Sequence, residues 1–286
     1  MGTIRLRTLA HGEIAGNEPT FLRRALARDF PSVLKGYSRR EVLSFAFRGG
    51  YGETLLMTSR AKRQWFKSYL DALLLHDIRE LMDIRAFQVL RKMMEMLLAY
   101  SARFFTEEDF TTALGIKHET FVRFLSILKT LYLVDEVPAW HGGDYGGVNK
   151  RSKYFAADTG MVASRLGWRE DEIYLDSDRS GKLVESWAYC QLAAQLDLEP
   201  AFSVCQYRDR QKREIDFIVE SDDGSLIGIE VKAGSDVGVS DFTHLKWFRD
   251  NLAKGKPFVG MVVYTGEMTL PFGKDLYAVP IGTICA

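Results

Sequence analysis

Residues 213–232 read REIDFIVESDDGSLIGIEVK, and the fold is decided here. Two apolar runs flank Ser221-Asp222-Asp223-Gly224, a turn that predicts a β-hairpin. Side chains alternate between the faces of a strand. Ile215, Phe217 and Val219 are therefore expected on one face, and Asp216 on the other with Glu214 and Ile218. In the second run Ile227, Ile229 and Val231 share a face, leaving Glu230 and Lys232 together opposite them. Closing the hairpin brings Asp216 beside Glu230 and Lys232. Two carboxylates and an ammonium on one sheet face are costly unless a cation or substrate balances them. Hard oxygen donors of this kind suit Mg2+ or Mn2+. The expected chemistry is phosphodiester hydrolysis, with the metal polarising the ester and lowering the pKa of a bound water. Lys232 would orient that water or stabilise the developing charge. Glu185, on the preceding helix, is the candidate third carboxylate. A lone Glu-X-Lys at a strand end is usually a solvated pair. The ordered set of a helix with an acid, a strand with a central Asp, a turn and a strand ending Glu-Val-Lys is more specific.

The flanking sequence is of the same class. A helix is expected from about Lys182 to Leu196 and another from Asp241 to Leu252. Strands are expected at Ser203–Arg208, Phe258–Tyr264 and Leu276–Val279, giving a mixed central sheet covered on both faces.

Upstream, the pattern is helical. Leu70, Leu73, Leu74, Ile78 and Leu81 recur on one helical face, and Phe87, Leu90, Met94, Leu97 and Leu98 on another. Core packing is the plain reading of both. Thr106 to Asp109 forms a capping box, Leu114-Gly115-Ile116 a turn, and Phe121, Phe124, Leu125, Leu128 and Tyr132 a second helical stripe. A strand over 131–137, a glycine-rich loop over 141–147 and a short strand at Tyr154-Phe155 complete a winged helix. Such a unit docks DNA with its second helix in the major groove and its wing on phosphate. Lys117, His118, Arg123, Lys129, Lys150, Arg151 and Lys153 are the candidate DNA contacts. The competing reading is a packing module, favoured by Glu119 and the modest basic density. Before residue 60 the sequence is less legible: a strand-like alternation at Ile4–Leu9, a helix over Thr20–Arg28 and a turn at Gly49-Gly50-Tyr51-Gly52.

Composition narrows the function. The chain has 286 residues, enough for two domains, with 38 basic and 38 acidic residues, so nucleic-acid binding would need a local patch. Cys190, Cys205 and Cys285 are widely spaced and odd in number, which argues against a disulfide framework or a structural zinc and fits a cytoplasmic protein. No apolar run reaches the roughly 18 residues of a membrane span, and the N-terminus carries no signal-peptide pattern.

Arg48-Gly-Gly-Tyr, Trp65-Phe-Lys-Ser-Tyr-Leu, His76-Asp-Ile-Arg79, Tyr154-Phe-Ala-Ala-Asp-Thr-Gly-Met161, Gly181-Lys-Leu-Val-Glu185, Tyr207-Arg208, Glu214-Ile-Asp-Phe217 and Ile229-Glu-Val-Lys232 together resemble the C-terminal part of prokaryotic AAA-type ATPases carrying domain of unknown function 4143. The resemblance implies a restriction-endonuclease-like (PD-(D/E)XK) domain. It implies metal ligands at Glu185, Asp216 and Glu230, and a catalytic lysine at Lys232. The family's nucleotide-binding domain has no counterpart: no GxxxxGK[ST] occurs, so no ATP site is expected. Gly52 stands where relatives often have proline. The expected division is residues 1–62, resembling the tail of the ATPase part, 63–158, helical with the winged helix, and 159–286, nuclease-like.

Two functions follow as expectations. One is a Mg2+- or Mn2+-dependent, DNA-binding nuclease module. The other is a non-catalytic DNA-binding or regulatory module with a vestigial site, with an ATPase domain or another protein as a further partner. An interaction scaffold using the helices at 65–100 is a third possibility.

Overall fold

The computed structural model describes residues 5–34, 36–78, 84–142 and 151–285. The N-terminal segment carries α1 (His11–Ala15), α2 (Phe21–Ala27) and α3 (Arg39–Arg48). Helix α3 opens on a capping box: Ser38 N–H donates to Glu41 Oε2 at 2.8 Å, and Glu41 N–H to Ser38 Oγ at 3.3 Å. Residues 5–9 form no strand. Their alternation has another cause: Arg5 and Arg7 both reach Asp135, and Arg7 also reaches Asp197.

Next come α4 (Ser59–Ile78), α5 (Ile84–Ala99), α6 (Glu107–Leu114), α7 (His118–Thr130) and the hairpin β1 (Val134–Val137) with β2 (Lys153–Ala156). Thr106 Oγ1 accepts from Asp109 N–H at 3.0 Å, and Gly115 ends α6 with φ +63°. That left-handed conformation is why glycine stands there. The predicted apolar stripes meet in one core: Phe66, Leu70 and Leu74 of α4, Leu90, Met94, Leu97 and Leu98 of α5, Phe110 of α6, and Phe121, Phe124 and Leu128 of α7. These residues of the two stripes are covered by the chain itself. Leu81 lies outside the described residues. The expected strand over 131–137 is shorter, because Leu131 N–H still bonds Ile127 O at 2.9 Å as the helix ends.

The remainder is α8 (Thr159–Arg165), α9 (Glu170–Leu175), α10 (Ser177–Leu198), β3 (Phe202–Arg208), β4 (Glu214–Ser221), β5 (Leu226–Val231), α11 (Thr243–Asn251), β6 (Phe258–Tyr264), β7 (Leu270–Pro271) and β8 (Leu276–Pro280). Among the described residues the sheet order is β3-β4-β5-β6-β8-β7, with β5-β6 and β6-β8 parallel and the other pairs antiparallel. The expected mixed α/β sheet is present. Helix α10 covers one face through Val184, Trp187, Ala188 and Leu192 against Phe217, Val219, Ile227 and Ile229. Helix α11 covers the other through Leu245 and Phe248 against Ile215, Ile218, Phe258 and Val262.

Two features of the packing position the site. Residues 21–48 contribute Phe21, Leu22, Ala25, Val42, Leu43 and Ala46 to the core under α10. Helix α3 also joins the helical layer at a close backbone approach. Gly49 (φ +69°) leaves no room for a side chain, since a Cβ there would lie 2.6 Å from Asp158 Oδ1. Gly50 N–H donates to Asp158 Oδ2 at 2.7 Å, while Asp158 Oδ1 caps α8 by accepting from Met161 N–H at 2.6 Å. The second feature is the hairpin, which does not stand free. Trp140 N–H donates to Gln206 O at 2.6 Å, Gln206 N–H to Pro138 O at 2.8 Å, and Gln206 Nε2 to Arg151 O at 2.8 Å, so the hairpin is laid against the β3 edge.

Candidate functional site

Three pieces of chain bring the acidic residues together. Helix α10 starts where Asp176 Oδ1 accepts from Arg179 N–H at 2.9 Å, and carries Glu185 inward on its buried face. Strand β4 presents Glu214 and Asp216. Its ladder with β3 shifts between Cys205↔Ile218 and Tyr207↔Ile215, so β4 has one residue too many for its partner. This bulge breaks the predicted alternation: Ile215 packs with the α11 layer while Phe217 and Val219 pack with α10. Bulges re-aim side chains in this way. The third piece is β5. Its register Phe217↔Ile229 sets Glu230 beside Asp216, and Val231 N–H donates to Asp216 Oδ2 at 2.9 Å.

A lysine occupies the centre. Lys153, the first residue of β2, is fully buried, with Nζ 2.8 Å from Glu185 Oε1, 2.8 Å from Glu214 Oε1 and 3.6 Å from Asp216 Oδ1. The sequence reading placed this residue among the surface phosphate contacts of the wing. The hairpin's docking on β3 carries it into the protein instead. Lys182, one helical turn before Glu185, donates to Glu185 Oε2 at 2.7 Å, and Arg208 Nε lies 3.9 Å from Glu214 Oε2. The Phe104 ring closes the side, 4.9 Å from Lys153 Nζ and 4.6 Å from the Arg208 guanidinium.

The ionisation states follow from this setting. Burial, then the charge of Asp216, pushes the Glu185 carboxyl up to about 7 against the opposing pull of Lys153 and Lys182. Glu230 is driven well above the ordinary carboxylate range by burial and by the charges of Asp216, Glu214 and Glu185. Burial would lower Lys153, but Glu185, Asp216 and Glu214 outweigh it and hold the ammonium charged. The predicted catalytic lysine faces elsewhere: Lys232 Nζ donates to Asp241 Oδ2 at 2.6 Å. Asp241 is held below the usual range despite burial, by Gly238 N–H and by Lys232.

A divalent metal does not fit this arrangement. Among the described residues no group of three or more His, Cys, Asp or Glu side chains has the geometry to hold one. Glu185, Asp216 and Glu230 do converge as predicted, but an ammonium lies between the first two. A dication between these carboxylates would have to displace that ammonium, because Lys153 Nζ already holds Glu185 Oε1 and Glu214 Oε1 at 2.8 Å each. A large desolvation cost on each ion adds to this. The site is already neutralised from within by Lys153, Lys182 and Arg208.

Beside the cluster lies an open depression of about 520 Å³ lined by Tyr100, Arg103, Phe104, Lys182, Arg208 and Glu214. The other predicted DNA contacts lie apart from it. Lys117, His118, Arg123 and Lys129 are exposed on or next to α7, and Arg151 is exposed at the foot of the hairpin. His118 faces Glu107 at 3.3 Å, and Lys129 bonds Glu136 at 2.5 Å. Lys150 lies outside the described residues. Sequence reasoning missed Glu214, Lys182 and Arg208 as partners in the site, and Asp241 as the partner of Lys232. For Lys182 a signal existed in the i,i+3 spacing to Glu185.

Residues 39–172 match the domain of unknown function DUF8612, and residues 180–284 match the domain of unknown function DUF4143. The second match spans the whole sheet together with α11 and most of α10. Comparison with curated proteins returned no match. Comparison with solved structures returned none either. No helix of the described residues is long and apolar enough to cross a membrane.

Proposed function

We propose that this chain is a DNA-binding module of nuclease-like architecture that does not itself cut DNA. The observation that carries the reading is the pairing of an exposed helix-turn-helix with an acidic centre already closed by a lysine. Helices α6 and α7 meet through the short turn at Gly115-Ile116-Lys117, and the outer face of α7 is open, with Val122 48% exposed. A second helix open in this way can enter a major groove. The basic residues are spread over that face with Glu119 and Ser126 between them. This arrangement suits phosphate contact and shape recognition better than a dense electrostatic patch. The neutral overall charge fits modest, salt-sensitive affinity.

The test is fluorescence anisotropy of a labelled duplex with the whole chain across a salt series. Binding that weakens steadily with salt is expected. Absence of salt-dependent binding at low ionic strength would overturn the reading. A second reading, phosphodiester hydrolysis, is favoured by one observation: Glu185, Asp216 and Glu230 converge, with Glu230 held well above its ordinary range by burial and by the neighbouring carboxylates. It requires Lys153 to leave the centre.

A further inference from the structure

Lys153 is unlike the other cations of the site in its origin. Lys182 and Glu185 belong to one helix, and Arg208 and Glu214 to adjacent strands β3 and β4. Lys153 comes from the hairpin, joined to this layer by the bonds at Gln206 and by Ser101, whose Oγ accepts from Ala156 N–H at 3.0 Å and lies 2.8 Å from Ser186 Oγ of α10. The ammonium is fully buried and has two carboxylate oxygens at 2.8 Å, from different elements. That is the position and partner set of a bound cation, supplied by the chain itself.

We propose that Lys153 is the resident cation of the acidic centre, so that the seated hairpin and a divalent metal ion are alternative occupants of the Glu185–Glu214–Asp216 site. The inference deepens the reading of the site as closed and rests on it. A divalent ion in this position would take the same Glu185 Oε1 and Glu214 Oε1 oxygens that hold Lys153 Nζ at 2.8 Å, so the two cannot be seated together. Coupling is reciprocal: whatever unseats the hairpin opens the metal position, and a metal entering it displaces the hairpin's foot. The winged-helix unit and the acidic centre are thereby linked through one side chain.

The test is calorimetric titration of the whole chain with Mn2+ alone, without DNA. The wild type is expected to show no binding that Asp216→Asn removes. Lys153→Met, which keeps the length of the side chain and removes its charge, should gain one Mn2+ site at least tenfold stronger. Lys153→Met with Asp216→Asn should lose it again. Wild-type binding as tight as that of Lys153→Met, with Asp216→Asn abolishing both, would overturn the proposal. So would a folded Lys153→Met chain that gains no site. Should Lys153→Met fail to fold, thermal melting of the wild type with and without Mn2+ decides. An unchanged midpoint supports exclusion, and a rise of several degrees that Asp216→Asn removes contradicts it. Neither result depends on DNA binding: tight wild-type Mn2+ binding refutes this inference and leaves the duplex test standing, and absent duplex binding does the reverse.

Discussion

Lys153 and Glu185 meet across the junction of the hairpin and the α/β layer, Nζ to Oε1 at 2.8 Å, with both side chains buried. Breaking such a pair from one side leaves an uncompensated buried charge, which costs about 3–5 kcal/mol. Lys153→Met should lower the urea-unfolding free energy by roughly that amount. Adding Glu185→Gln to Lys153→Met should restore part of the loss, giving a favourable coupling in the double-mutant cycle. Additive losses would show that the two side chains do not stabilise each other.

Glu185 also predicts a pH dependence. Its carboxyl titrates at about 7 in the folded chain, above the ordinary 4.5, because burial and Asp216 disfavour the charged form. A raised carboxylate contributes stability that is fully present below about 4.5 and is lost as pH rises through about 7. Glu230 shifts in the same direction. Relative to Glu185→Gln, the wild type should lose roughly 2–3 kcal/mol across that window. Unfolding curves at several pH values measure it, and parallel stability profiles for the two proteins would contradict it.

His11 gives the opposite slope. It is stacked on Phe45 with ring centroids 4.0 Å apart, its Nδ1 lies 2.7 Å from Arg48 Nη2, and burial, then Arg48, lowers its pKa to about 4. A histidine held neutral in the fold contributes stability above its unfolded value of 6.5 and loses it as pH falls toward about 4. His11→Phe should flatten the acid limb between these values. An unchanged limb would mean that His11 titrates without linkage to folding.

The junction at Asp158 is equally specific. Its carboxylate accepts from Gly50 N–H at 2.7 Å and from Met161 N–H at 2.6 Å, with the residue 2% exposed. Asp158→Ala leaves both donors buried and unpaired, a loss of about 2–6 kcal/mol at roughly 1–3 kcal/mol per orphaned group. Asp158→Asn keeps one acceptor and should cost less. Equal losses in the two variants would point to the charge, not the bonds.

On α7, Arg123→Ala and Lys129→Ala should each weaken duplex binding and reduce the salt slope by about one, as for single phosphate contacts. Glu119→Ala should strengthen binding. Anisotropy reads all three, and unchanged affinity in every variant would exclude α7 from the interface.

Much of this architecture was legible in the sequence, for identifiable reasons. Strong periodicity exposed α4 to α7 and β4 to β6, and the turn at Ser221–Gly224 fixed the register that sets Asp216 beside Glu230. Alternation failed at Asp216-Phe217, because Ile215 and Phe217 are both apolar and nothing in their chemistry marks a bulge. Helix α2 was visible as a local signal and α3 was not, and the burial of both under α10 depends on contacts far along the chain. Lys153 was the largest miss. After a glycine-rich loop a lysine reads as surface, and only the docking of the hairpin on β3 makes it the centre of the acidic site.

We propose that this centre, closed by Lys153, does not hydrolyse DNA. The most direct measurement is incubation of plasmid and single-stranded DNA with the wild type and Asp216→Ala in Mg2+ and in Mn2+. No cleavage above that of Asp216→Ala is expected with either metal. Metal-dependent cleavage by the wild type that Asp216→Ala abolishes would contradict it.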